Sequence, residues 1–252
     1  RCMTPFLRRW DGPGRALYLH CALAHSGVLT PLATSLGGGF GIDLPGQGKS
    51  PPWDETLDYQ SQCVAWAMEA MPDPGPVIGH SFGATVALRL AVERPDLVTE
   101  LVLIEPVYFA AARLHDPDAY ARYKAANAGV EAAVATGDLH AQAEAFTTMW
   151  GGTPWAELPG RFKDTIAAQM PLISAQWAGI DADSGAVFAP GALSRVTCPV
   201  TLIRGADTQP VVAAIHAVLA KLLPHSREDV VDGAGHMCAV THPAQVAALI
   251  RL

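Results

Sequence analysis

A mostly parallel, doubly wound α/β sheet with an inserted helical cap is the architecture this sequence predicts, and three observations predict it. Short apolar runs, among them Leu17-Tyr18-Leu19, Leu101-Val102-Leu103-Ile104 and Val200-Thr201-Leu202-Ile203, alternate with segments of helical period. Runs of that kind belong to parallel strands covered on both faces by their crossover helices. Glycine-rich loops follow several of the runs, placing flexible backbone at the carboxyl edge of the sheet, where open α/β sheets carry their sites. The rhythm then stops at about Val107 and resumes at Val200. Residues 1–106 and 195–252 are therefore expected to form one core, and 107–194 a helical insertion.

Composition supports a packed protein and excludes several function classes. Of 252 residues, 50% are hydrophobic and only 16% charged, enough for a sizeable core and too apolar for disorder. The net charge of −7 comes without a basic run, which argues against nucleic acid and anionic membrane, since both recruit clustered Lys and Arg. Small neutral partners fit better. No signal-peptide-like stretch and no apolar run of spanning length occurs, so a cytoplasmic location is expected. Cys2, Cys21, Cys63, Cys198 and Cys238 are odd in number and scattered, without metal-ligand spacing, and are expected to be reduced, buried fillers. Neither a metal nor an organic cofactor is expected.

Taken in order, Ala16 to His20 reads as a strand after the turn-forming Asp11-Gly12-Pro13-Gly14, and a loop through Cys21 to Gly27 leads to a helix from about Thr30 to Leu36. Phe40 to Asp43 is a short strand that opens into the tight loop Leu44-Pro45-Gly46-Gln47-Gly48-Lys49-Ser50. Residues 57–71 carry Val64, Ala67, Met68 and Met71 on one helical face until Pro72-Asp73-Pro74-Gly75-Pro76 ends the pattern. Val77-Ile78 is the next strand, and Thr85 to Ala91 the helix after it. Beyond the Leu101 to Ile104 strand, residues 107–193 are alanine-rich and helical in propensity, broken by Gly137, Gly151-Gly152, Pro154, Pro159-Gly160 and Pro171. A strand at Val200 to Ile203, a helix over 211–223, a short strand near Val230 and a last helix over 243–252 complete the chain.

The chemistry concentrates at Gly79-His80-Ser81-Phe82-Gly83, where a strand passes into a helix. Flanking glycines allow the sharp turn that pushes the Ser81 hydroxyl out near a helix N-terminus. A serine hydroxyl is a feeble nucleophile at neutral pH and needs a base, usually a histidine held by a carboxylate. His236, in Asp232-Gly233-Ala234-Gly235-His236, lies in a flexible loop after the last strand and is the expected base. Asp207 directly follows the Val200 to Ile203 strand and is the expected acid, with Glu105, at the end of the preceding strand, as its rival. Gly46-Gln47-Gly48-Lys49-Ser50 lacks the first glycine of a phosphate-binding loop, because position 43 is Asp, which argues against a nucleotide.

With the order Ser81, Asp207, His236, the chain resembles the α/β-hydrolase fold superfamily. The resemblance rests also on Asp43-Leu44-Pro45-Gly46-Gln47-Gly48-Lys49-Ser50, similar to the family's DxPGxGxS loop, and on Leu19-His20 at its oxyanion strand. It covers nearly all of the chain outside the cap. It implies that the backbone N–H groups of Ala22 and Phe82 form an oxyanion hole. It further implies a serine hydrolase acting through an acyl-enzyme on a hydrophobic carboxylic ester, thioester or lactone, as a monomer or homodimer. Acyl transfer, carbon–carbon bond hydrolysis and non-catalytic ligand binding use the same scaffold. Two departures stand out: His20-Cys21 replaces the common His-Gly, and the Gly205-to-Asp207 spacing is one residue shorter than the common Gly-x-x-Asp.

His20, His25 and His80 are read as loop-ordering residues, and Cys21 and Cys238 as small buried fillers. Met149, Trp150, Trp155, Phe162, Met170 and Trp177 are expected mainly to hold the insertion together, with some of them facing the substrate.

Overall fold

The computed structural model describes residues 3–252, so the expectation for Cys2 falls outside the described residues. Seven strands form one sheet: β1 (Leu7–Trp10), β2 (Leu17–Leu19), β3 (Gly39–Ile42), β4 (Gly75–His80), β5 (Val98–Ile104), β6 (Val200–Gly205) and β7 (Ser226–Val231). Their spatial order is β1-β3-β2-β4-β5-β6-β7, with every neighbouring pair parallel except β1 with β3. The sequence reading missed β1. Its Leu-Arg-Arg-Trp pattern does not alternate cleanly, because this antiparallel edge strand is only partly buried.

Period-two alternation along the strands feeds two cores. Leu17, Leu19, Val77, Leu101, Leu103 and Leu202 face one side of the sheet. There they meet the helices α2 (Tyr59–Ala70), α3 (Phe82–Glu93) and α9 (Pro210–Leu222). Tyr18, Ile78, Val102, Ile104 and Ile203 face the other side, against α1 (Thr30–Ser35), α10 (Cys238–Thr241) and α11 (Pro243–Leu249). The sheet is thus doubly wound, as expected. Asp58 starts α2 by accepting a hydrogen bond from the Ser61 N–H at 2.7 Å, satisfying one of the free donors of the first turn.

Between β5 and β6 the chain runs through α4 (Phe109–His115), α5 (Pro117–Ala126), α6 (Ala128–Thr136), α7 (Leu139–Trp150) and α8 (Gly160–Ile180), with no strand among these described residues. Asp116 and Asp138 cap α5 and α7, and Gly137 ends α6 in the left-handed conformation at φ 72°. Pro171 sits inside α8, where it removes a backbone donor. Three ties hold this layer to the rest of the fold: α4 and α5 pack on α9, α8 packs on α2, and the Gln209 side-chain amide donates to the Met149 carbonyl at 2.9 Å.

Among the described cysteines, Cys21, Cys63 and Cys238 are buried, Cys198 is half-buried and all are free thiols. Burial pushes the Cys21 thiol up to about 12. Cys238 reaches about the same value through burial and the nearby Glu105 carboxylate. Neither supplies a thiolate near neutrality.

Three histidines are buried in neutral form. Desolvation lowers His20, His80 and His216 to about 4 each, and neither ring nitrogen of His216, in α9, has a hydrogen-bond partner. The unfolded chain takes up a proton at each of these sites as pH falls below about 6.5, whereas the folded protein resists until about 4. Their contribution to stability is therefore complete above that window and is lost on acidification through it. We expect the thermal midpoint to fall steadily between pH 7 and pH 4.5, each site contributing at most about 1.4 kcal/mol per pH unit. His216→Leu is expected to flatten the slope by one site's share. A midpoint unchanged over that range would show that these imidazoles titrate normally in the folded state.

Candidate active site

Strand register brings the site together. His80 pairs with Ile104 across β4 and β5, so Ser81 and Glu105 are the next residues on adjacent parallel strands and leave the sheet side by side. The Ser81 N–H donates to the Ile104 carbonyl at 2.8 Å, and the Glu105 N–H to the Ile203 carbonyl at 2.8 Å. Both residues hold positive φ, 56° and 53°, a costly backbone for non-glycine side chains and one that recurs at functional turns.

The two glycines around Ser81 are required by close approach. A Cβ on Gly79 would lie 2.4 Å from the Gly83 carbonyl oxygen, and one on Gly83 would lie 2.2 Å from the Leu19 carbonyl oxygen. The absence of side chains therefore lets α3 start immediately after β4 and press against the end of β2. That arrangement places the Ser81 hydroxyl at the N-terminus of α3.

His236 arrives from the loop after β7. Its Nε2 lies 2.9 Å from Ser81 Oγ and its Nδ1 2.8 Å from Glu105 Oε2. The ring is held from two further sides. His80 donates from Nε2 to the His236 carbonyl at 2.9 Å, and the Trp150 ring packs edge-on, with centroids 4.9 Å apart.

The expectation for the acid needs correction, because Glu105 and not Asp207 meets His236. Glu105 is fully buried and accepts the Gly205 N–H at 2.6 Å on Oε1, while Thr208 donates its hydroxyl to Oε2. Burial alone drives this carboxyl upward. The hydrogen bonds from His236, Thr208 and Gly205, with the His236 charge, outweigh that and hold it below its ordinary value, hence ionised. Asp207 is exposed, since the loop after β6 is stitched by backbone to the loop after β7. Ala206 N–H donates to the Val231 carbonyl and Asp207 N–H to the Ala234 carbonyl, both at 2.9 Å. The residue reaching inward from that loop is Thr208, three after Gly205. The short Gly-to-Asp spacing was the signal: at the position where the common spacing puts an acid, this chain has threonine.

Ala22 and Phe82, the residues named from the resemblance for an oxyanion site, line one cavity together with Ser81. Neither the Ala22 nor the Phe82 N–H donates to a backbone carbonyl among the described residues. His20 fixes the Ala22 peptide. Its Nε2 accepts the Leu44 N–H at 2.9 Å, which leaves the proton on Nδ1 to be donated to the Cys21 carbonyl at 2.7 Å. In a planar trans peptide the carbonyl of residue 21 and the N–H of residue 22 point in opposite directions, so holding one aims the other. The positive φ of this loop falls on Leu23, at 57°, so Cys21 needs no glycine-like backbone. The loop over 43–50 braces this one from below. Asp43 accepts from Ser26 N and Oγ at 2.7 and 2.6 Å and from Lys49 N at 2.8 Å, and Ser50 Oγ donates to the Asp43 carbonyl.

Two cavities, about 490 and 400 Å³, both reach Ser81 and His236, and Phe146 and Trp150 border both. Of the large apolar residues singled out from sequence, Trp150, Met170 and Trp177 line the larger cavity, while Trp150 and Phe162 line the smaller. Met149 and Trp155 line neither. Phe146 and Gln176 were not singled out from sequence, since a helical apolar or amide residue carries no local sign that it faces a cavity. No helix of the described residues is long and apolar enough to cross a membrane. Among the same residues no three His, Cys, Asp or Glu side chains gather as a metal site requires.

Comparison with known proteins places this geometry. Residues 19–243 match the family model described as alpha/beta hydrolase fold. The chain is 29% identical over 264 aligned positions to Lipase LipV of Mycobacterium tuberculosis, covering 96% of this chain and 93% of that protein. It is 35% identical over 104 residues to Esterase Rv0045c of the same organism, covering 38% of this chain and 35% of that one. A haloalkane dehalogenase loop variant from Bradyrhizobium elkanii superposes with a TM-score of 0.71 over 98% of this chain and 92% of that chain, at 20% identity, a likeness of fold.

If Glu105 orients His236, Glu105→Gln should slow phosphonylation of Ser81 by a fluorophosphonate about 10³- to 10⁴-fold, because the imidazole loses the ionised partner that fixes its tautomer. Asp207→Asn, an exposed change, should stay within about twofold. Intact-mass time courses on the two variants decide between the carboxylates, and the reverse ranking would restore Asp207.

Proposed function

Because the chain belongs to the α/β-hydrolase fold family, we propose that it hydrolyses a hydrophobic carboxylic ester or related acyl bond through an acyl-enzyme on Ser81. The observation that carries the reading is the continuous hydrogen-bonded line from Ser81 Oγ through His236 to the buried Glu105 carboxylate. The names of the similar lipase and esterase support the same bond type. The helices over 107–194 serve as the cap on a core formed by 1–106 and 195–252.

In this mechanism Ser81 Oγ attacks the ester carbonyl carbon while His236 Nε2 takes the hydroxyl proton, and Glu105 stabilises the resulting imidazolium. The carbonyl oxygen becomes negative and accepts from the Ala22 and Phe82 N–H groups, each such donor typically worth about 100- to 1,000-fold in rate. Collapse breaks the carbon–oxygen bond of the leaving alcohol, which receives the proton from His236. Water, deprotonated by the same imidazole, then attacks the acyl group on Ser81 and releases the acid. The two cavities accept the two arms of the ester, and Trp150 divides them.

Ser81→Ala should abolish turnover of p-nitrophenyl esters, by on the order of 10⁶-fold, with the fold intact by circular dichroism. Trp150→Leu opens the partition and should raise kcat/KM for branched or bulky acyl groups relative to linear ones by about tenfold or more. It should also lower kcat for every substrate, because the His236 ring loses its packing neighbour. Turnover retained in Ser81→Ala would remove the acyl-enzyme. An unchanged ranking in Trp150→Leu would remove the partition.

A further inference from the structure

The two chambers lie end to end along one helix. In α8, Phe162, Thr165, Ile166 and Gln169 line the smaller chamber, and Met170, Ile173, Trp177 and Ile180 line the larger. The changeover falls between consecutive residues, Gln169 and Met170, and from Phe162 to Ile180 the helix rises about 27 Å at 1.5 Å per residue. Ser81, His236 and Trp150 border both chambers, so the reacting centre sits where they meet. Each chamber also reaches solvent near its own end of α8. Val134, in α6, lines the larger chamber and is 45% exposed. Three residues before it, Glu131 pairs with Lys124, whose Nζ lies 5.9 Å from the centroid of the Trp177 ring. Phe162, in the first turn of α8, lines the smaller chamber and is 53% exposed, and His25, Gly152 and Thr165, which line it too, are also exposed. The charged residues of the larger chamber are already partnered: Lys124 pairs with Glu131, and Asp181 accepts the Tyr120 hydroxyl at 2.8 Å. An apolar wall therefore runs from the reacting centre out to water in both directions.

We infer that the site is a channel open at both ends, and that it takes esters whose acyl and alcohol arms are both long hydrocarbon chains, each passing out of the protein at its own mouth. The inference rests on the esterase reading and deepens it. A chamber closed at its far end sets an upper limit on chain length, because one further methylene has to be forced against packed side chains. A chamber open at its far end sets none. Each methylene that enters leaves water and adds to binding, while those beyond the mouth stay in water and add nothing. The two products also have separate ways out, so the alcohol can depart while the acyl chain still occupies its own arm.

The test measures kcat/KM on the full chain in two series, both kept below micelle-forming concentrations. One lengthens the acyl arm, from p-nitrophenyl acetate to the dodecanoate. The other lengthens the alcohol arm, from ethyl to dodecyl acetate, followed by acid release. In wild type kcat/KM is expected to rise by up to about fourfold per methylene in both series and then to level off without falling. Val134→Trp narrows the larger mouth and Thr165→Trp the smaller, both at exposed positions where the fold has room for a large side chain. Should either fail to fold, phenylalanine replaces the tryptophan. Each variant is expected to lower the ratio of long-chain to short-chain kcat/KM by at least about tenfold in one series, and the two variants in different series. A fall at long chain length in either wild-type series, a pair of variants that both act on the same arm, or a variant that leaves both ratios as in wild type overturns the inference, while fluorophosphonate labelling of Ser81 and turnover of the short esters keep the esterase reading. A folded protein showing neither labelling nor turnover overturns the esterase reading and this inference with it.

Discussion

The site depends on one steric constraint, the approach of α3 to the ends of β2 and β4. Ser81 can leave β4 with φ 56° and start a helix at the next residue only because Gly79 and Gly83 carry no Cβ to strike the carbonyl oxygens opposite. The strain of a left-handed serine is borne by its neighbours, whose strand hydrogen bonds and helix packing over-determine the turn. The same turn makes Phe82 the first residue of α3 and brings the β2 end, with His20 and Ala22 behind it, against Ser81. One backbone geometry thus gathers the Ser81 hydroxyl and the Ala22 and Phe82 backbone at one cavity.

Parallel register then decides which carboxylate meets His236. On adjacent parallel strands that end level, the first residue past each end is a neighbour of the other, so Glu105 stands beside Ser81 whatever the loops do. Asp207 lies in the loop after the next strand over, where its own N–H and that of Ala206 are committed to the end of β7 and the loop after it. That loop still contributes: after His236, the Thr208 hydroxyl and the Gly205 N–H help to hold the Glu105 carboxyl below its ordinary value despite complete burial. An unassisted carboxyl at that depth would be neutral and could not stabilise an imidazolium.

Much of this was legible in the sequence, for physical reasons. Apolar runs with intervening helical periods fix a parallel sheet, and glycines around a serine between strand and helix fix the turn, since both signals are local. Ser81 and His236 followed from their positions past strand ends. The choice between Asp207 and Glu105 did not, because it depends on how far two loops reach, and spacing along the chain says little about reach. Local signs were nonetheless present: Glu105 is a carboxylate closing an otherwise apolar run, and Thr208 stands where the acid of the common spacing belongs. The edge strand β1 escaped because half-buried antiparallel strands need not alternate, and Phe146 because lining a cavity is a property of its surroundings.

Two neutral histidines, His20 and His80, tie the polar framework around the site without adding charge. His20 and His80 sit within the same region as His236, yet burial keeps both uncharged near neutral pH, so neither places a standing positive charge beside the His236 ring. Each instead acts through hydrogen bonds to main chain: His20 on the Cys21 carbonyl, His80 on the carbonyl of His236 itself. Lysine at either position could not serve, being charged and lacking an acceptor for the Leu44 N–H, and an aliphatic residue would leave buried carbonyls unpaired. Imidazole meets both demands, provided the surroundings are dry enough to hold its affinity for protons down.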